Sequence, residues 1–284
     1  MVAKSVFEAQ AERLQEIEWN PEAWFRFGLK ASPVGSGEQQ CGATFQCALK
    51  TARDILARYI GCRSIDVVFV ENASHGINAV LRSVPLFLKR KKILSLDLAC
   101  ELLNTPARCA TRCACLPSFQ TRRQMLLIRC YCCIRFSDGM VKDTLAYLEG
   151  SIGGAANGTL HEGMVEVSTA ALFRNESARQ QLSADAIVAL VERALDTHEG
   201  EVALAVFSHI TSVPALVLPV KRLTQLCHEH GVRVLIDGAH APGQIELDVK
   251  DVGADFYVGN GHKWLYTTRG CAFLYVAEEA QPLV

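Results

Sequence analysis

Between 184 and 276, short apolar runs alternate with stretches of helical period, and that alternation restricts the fold more than any other feature of the chain. DAIVALVERALDTH (185–198) spaces its apolar residues as a helix does, with Ser183 placed to cap it. VALAVFSHI (202–210) reads as a buried strand, VKRLTQLCHEHG (220–231) as a helix ending at Gly231, and VRVLID (232–237) as a second buried strand. Strands separated by helices of this length pair in parallel. DFYVG (255–259) and CAFLYV (271–276) add two more apolar strands. The earlier half follows the same grammar. ATFQCALKTARDILARYIG (43–61) is expected to be a helix with its apolar face at Ala48, Ala52, Ile55, Leu56 and Ile60, followed by the strand IDVVFV and a helix opening at Ser74. The strand KKILSLDLA (91–99) comes next. The expected fold class is α/β, a three-layer αβα sandwich around a mostly parallel sheet.

Half of the 284 residues are apolar, enough for a sizeable core, and the formal net charge of -1 gives no electrostatic case for nucleic acid or an anionic membrane as partner. No apolar run reaches the ~18 residues that span a bilayer, and MVAKSVFEAQAERLQ is not a signal peptide, so a cytoplasmic location is expected. Seven of the twelve cysteines fall between 100 and 133. Without a secretory signal disulfides are not expected, and without a paired C-x-x-C no metal site is expected either. The segment 100–138 has no clear period and interrupts the α/β rhythm, which reads as an insertion foreign to the fold, with a surface loop of real function as the rival reading. The glycine-rich GSIGGAANGTL (150–160) reads as a linker or lid.

The chemistry gathers at strand ends. VLIDGAHAPG ends a strand at Asp237, and GHKWL (261–265) sets Lys263 just past the next one. A carboxylate and an amine at adjoining strand ends are the two fixed groups that pyridoxal phosphate chemistry needs: the amine forms an imine with the aldehyde, and the carboxylate keeps the pyridine nitrogen protonated. Ser74 opens a helix after a strand and a small-residue turn, and the unpaired amides of such a first turn suit a phosphate.

NASHGINAVLRS (72–83), SHITS (208–212), LIDGAHAPGQ (235–244) and DFYVGNGHKWLY (255–266) together resemble the class V aminotransferase family of fold-type I pyridoxal phosphate enzymes. Within it they are most similar to the isopenicillin N epimerase-like and cysteine desulfhydrase-like branch. The similarity covers most of 5–98 and 139–284 and fails across 100–138. By motif position it implies that Lys263 is the Schiff-base lysine and Asp237 the partner of the pyridinium nitrogen. It sets His240 against the phenolic oxygen of the cofactor and Ser212 at a similar contact. Ser74, His75, Asn260 and His262 would hold the phosphate. The resemblance further implies one large domain over 1–284 with a C-terminal small domain missing, a homodimer, and a small amino acid as substrate. Transamination, epimerisation and β-elimination all remain open. So does a reading of another class, a non-catalytic remnant of such an enzyme.

Overall fold

A computed structural model describes residues 2–19, 45–87, 92–97, 164–168, 183–212 and 215–284. Its helices, in chain order, are α1 (Lys4–Trp19), α2 (Phe45–Tyr59), α3 (Ala73–Phe87), α4 (Ala184–Thr197), α5 (Val220–Glu229), α6 (Val249–Val252) and α7 (Gly261–Trp264). Its strands are β1 (Val67–Val70), β2 (Lys92–Asp97), β3 (Met164–Ser168), β4 (Val202–Ser208), β5 (Arg233–Gly238), β6 (Phe256–Asn260) and β7 (Ala272–Val276). The segments 100–138 and 150–160 lie outside the described residues.

The seven strands form one sheet in the order β1-β7-β6-β5-β4-β2-β3. β3, β2, β4, β5 and β6 run parallel, whereas β7 is antiparallel to both β6 and β1. The mostly parallel sheet expected from the strand–helix rhythm is found, and its parallel pairing stops at β6. The reason is local: the segment 261–271 between β6 and β7 holds only the four-residue α7, too short a helix to cover a crossover, and Gly270 at φ 83° helps turn the chain back.

Alternation along each strand sorts side chains onto two faces. Val234, Ile236, Tyr257, Phe273 and Tyr275 face one core, shared with Ile187 and Val191 of α4, Leu223 and Cys227 of α5, and Ala57 of α2. Leu235, Phe256, Val258, Leu274 and Val276 face the other, covered by Ala73, Ile77, Val80 and Leu81 of α3. Both faces are thus dry, which is why these strands read as continuous apolar runs. Ser183 caps α4, its hydroxyl accepting from the Ala186 amide at 3.2 Å.

Helix α2 departs from expectation. Ala48, Ala52 and Ile55 are exposed, whereas Leu56 and Ile60 of the expected face meet the core, joined there by the buried Ala57. Helix α3 begins one residue before Ser74, at Ala73.

Candidate active site at the carboxyl ends of the parallel strands

The ends of β4, β5 and β6 and the start of α3 converge on one edge of the sheet, where open α/β sheets place their ligands. β5 delivers Asp237, 4% exposed, whose Oδ1 accepts from the Ala239 amide at 2.9 Å and whose carbonyl accepts from the His209 amide at 2.8 Å. β6 ends at Asn260, equally buried, and its Oδ1 accepts the Ala73 amide at 2.8 Å. That bond ties the first turn of α3 to the residue from which α7 starts. Asn72 caps the same turn, its side chain accepting from the His75 amide at 2.9 Å. Of the first-turn amides, Ser74 is then the one without a partner among the described residues, and it keeps the open direction that an anion would use.

Helix α7 turns Lys263 inward. Its Nζ lies 2.9 Å from Nε2 of His240, which stands in the turn after β5. The indole N–H of Trp264 donates to the other ring nitrogen, Nδ1 of His240, at 3.3 Å. Burial lowers the pKa of the Lys263 amine below its ordinary value, an effect that the charge of Asp237 opposes. His240 is lowered as well, by burial first and by the nearby Lys263 charge second. A carboxylate, an imidazole and an amine with reduced proton affinity thus stand together, able to neutralise a ring nitrogen, to hydrogen-bond, and to attack a carbonyl.

Of the residues expected here, the structure brings Asp237, His240 and Lys263 into one cluster and links Asn260 to the α3 turn. His262 is half-buried and its Nδ1 donates to the Cys271 carbonyl at 3.0 Å, which leaves Nε2 for a ligand. The side chain of His75 is exposed and meets Glu71 at 2.9 Å. Ser212 sits half-buried on the loop after β4, with no hydrogen bond to Lys263 or His240.

Three neighbours were not anticipated. Trp264 adjoins Lys263 in GHKWL, so its closeness was readable but its bond to His240 was not. Tyr257, fully buried, shares a hydrogen bond of 2.8 Å with Nδ1 of His209. Its ring lies over Gly238, where a Cβ would sit 2.3 Å from the phenol oxygen, so the residue after Asp237 has room only for hydrogen. The phenol of Tyr59 accepts from the Gly243 amide at 3.0 Å and holds the turn that carries His240.

Comparison with known proteins finds similarity over this part of the chain. Residues 179–283 match the family model described as Aminotransferase class-V. An L-cysteine desulfhydrase of Arabidopsis thaliana is 48% identical over 75 residues, covering 26% of this chain and 16% of that protein. An isopenicillin N epimerase of Streptomyces clavuligerus is 42% identical over 80 residues, covering 27% of this chain and 20% of that protein. The chain thus spans about a fifth of the length of the curated relatives it matches. Among solved structures, a C-DES mutant with glycine covalently linked to the PLP-cofactor superposes with a TM-score of 0.60 at 19% identity, covering 100% of this chain and 56% of that one. The cysteine desulfurase from Thermococcus onnurineus NA1, in its apo form, gives 0.59 at 18%, covering 98% and 52%. The segment that builds α4 through β7, with Asp237, His240 and Lys263 in it, is the part that matches the class V aminotransferase family model, and the chain shares its fold with these solved structures.

Proposed function

We propose that this chain carries the cofactor site of a pyridoxal phosphate-dependent enzyme acting on a small amino acid, with Lys263 as the reacting amine. One observation carries the reading: a half-buried lysine of lowered proton affinity held at the same strand ends as a buried carboxylate. The donor set fits the cofactor group by group. Asp237 suits a protonated ring nitrogen, the Ser74 amide and hydroxyl with the side-chain amide N–H of Asn260 suit a phosphate, and His240 suits a phenolic oxygen; His262, whose ring hydrogen is committed to the Cys271 carbonyl, offers a phosphate no donor as a neutral imidazole. When bound, pyridoxal phosphate supplies an aldehyde and an electron-withdrawing ring.

The chain's own residues do the rest. Lys263 would be the residue that holds the cofactor through its aldehyde, and its Nζ, as the free amine, would take the proton from the substrate α-carbon. Asp237 would meet the ring nitrogen with its carboxylate, which the Ala239 amide holds in place. The names of the relatives favour cysteine as the first substrate to try, with β-elimination releasing sulfide; epimerisation and transamination are the other outcomes of the same proton transfer. The resemblance also supports a homodimer, with Thr267 and Thr268 beside the partner's phosphate site.

The test mixes purified protein with pyridoxal phosphate and records the visible spectrum of wild type and Lys263→Ala. A new absorption band in the wild type that is absent from the variant is expected. Folded wild type that leaves the cofactor spectrum unchanged would overturn the assignment in favour of a non-catalytic remnant. Sedimentation analysis tests the dimer separately.

A further inference from the structure

Trp264 has no part in the chemistry just proposed, yet its indole nitrogen is committed to the imidazole that touches Lys263. An indole N–H only donates, so Nδ1 of His240 must offer a lone pair. A neutral imidazole with a lone pair on Nδ1 carries its hydrogen on Nε2. That hydrogen lies on the line to Nζ of Lys263, 2.9 Å away. A lysine ammonium has three donors and no acceptor, so it cannot face an N–H; a free amine, with its lone pair, can.

We propose that Trp264 is a positioning residue which, by fixing the Nε2–H tautomer of His240, makes that imidazole a hydrogen-bond donor to Lys263 and so holds Lys263 as the free amine. This deepens the cofactor reading, since a free amine is the form that attacks an aldehyde, but it concerns only side chains of this chain. The direction of the lysine's altered proton affinity agrees with it: burial disfavours the ammonium, and donation from His240 to the lone pair acts in the same sense. The other charged group acting on Lys263 is Asp237, from the end of β5, which favours the ammonium and so opposes the relay. His262, next to Lys263 on α7, is turned to the Cys271 carbonyl.

Two cofactor-free measurements on the full chain test the proposal. In protein labelled with 15N-histidine, with the His240 signals assigned through His240→Gln, Nδ1 is expected to be unprotonated and Nε2 protonated at neutral pH. A proton on Nδ1 in the wild type would overturn the proposal without recourse to any variant. The pH profile of Lys263 acetylation, read by mass spectrometry on trace-labelled protein, is then compared between wild type and Trp264→Phe. The variant keeps the bulk of a side chain that is already 41% exposed but removes the N–H. The midpoint should move up by about one pH unit, which is about a tenfold loss of labelling rate at a fixed pH below it. An unchanged midpoint in folded Trp264→Phe would reject the relay. A merely structural role for Trp264 would move neither the tautomer nor the midpoint. Because neither readout uses pyridoxal phosphate, the relay can hold in a protein that fails to bind the cofactor, and fail in one that binds it.

Discussion

Lys263 works against the stability of the fold that holds it. Its pKa is lowered mainly by burial, so the unfolded chain binds a proton over a pH range in which the folded chain has already lost it. The penalty is therefore present below the ordinary lysine range and disappears as pH rises through it. Lys263→Met is expected to raise the melting temperature by about 2–4 °C at pH 7, on the scale of ~1 kcal/mol for a chain of this size, and the gain should vanish in strongly alkaline buffer. Calorimetry across that range checks it. Gly238 shows the opposite constraint. A methyl group there meets Cε1, Cζ and the oxygen of Tyr257, all at 2.3 Å, inside a packed interior. Gly238→Ala must push Tyr257 off His209, and a loss of ~1–3 kcal/mol or more is expected in urea titration, as for other overpacked cores.

At the scale of elements, two polar links fasten the strands at opposite ends. Near the site, the neutral imidazole of His209 at the end of β4 bonds Tyr257 of β6 across the intervening β5. Burial depresses the His209 pKa from 6.5 to about 4. A base whose folded pKa is depressed contributes stability that is present above pH 6.5 and is lost as pH falls towards 4. That loss amounts to about 3 kcal/mol, so His209→Leu should flatten the pH dependence of unfolding between those limits. At the far end, Asp255 is 6% exposed and receives His228 at 3.0 Å, the Val234 amide at 2.8 Å and Arg233. Burial raises its pKa, but the bonds from His228, Val234 and Arg233 outweigh it and hold the carboxyl below its ordinary value. Asp255→Asn leaves Arg233 without its buried partner, and ~3 kcal/mol of destabilisation is expected. Cofactor affinity, measured by titration of the folded variant, should not change, because this network lies at the other end of the strands.

For the molecule as a whole, a ligand that binds only the folded sheet edge must stabilise all of it. At a hundredfold excess over its dissociation constant, pyridoxal phosphate should add about 2.7 kcal/mol to unfolding in the wild type and much less in Lys263→Ala, which a thermal-shift series reads directly.

Much of this architecture was legible in the letters. β4, β5, β6 and β7 announced themselves because both faces of the sheet are covered, so each strand is an unbroken apolar run, and the Ser183 cap was readable because its bond spans only three residues. The face of α2 was misread for a related reason. Its period shows that a helix forms, but among its described side chains those that meet the core lie near its C-terminal end, Leu56 and Ala57 with the adjoining Ile60, whose carbonyl also accepts the Val249 amide. The bond from His228, near the end of α5, to Asp255, just before β6, joins residues that no local pattern pairs.

By itself, the sequence determined the strand–helix order and the identity of Asp237 and Lys263 as residues ending adjacent strands, since period and spacing are local properties of a chain. Only the tertiary structure decided which ring nitrogen of His240 faces Lys263, that Tyr257 closes over Gly238, and that β7 turns back against β6. Those outcomes depend on register between strands and on hydrogen bonds between distant residues, and no local pattern encodes the partner of a side chain that another strand must deliver.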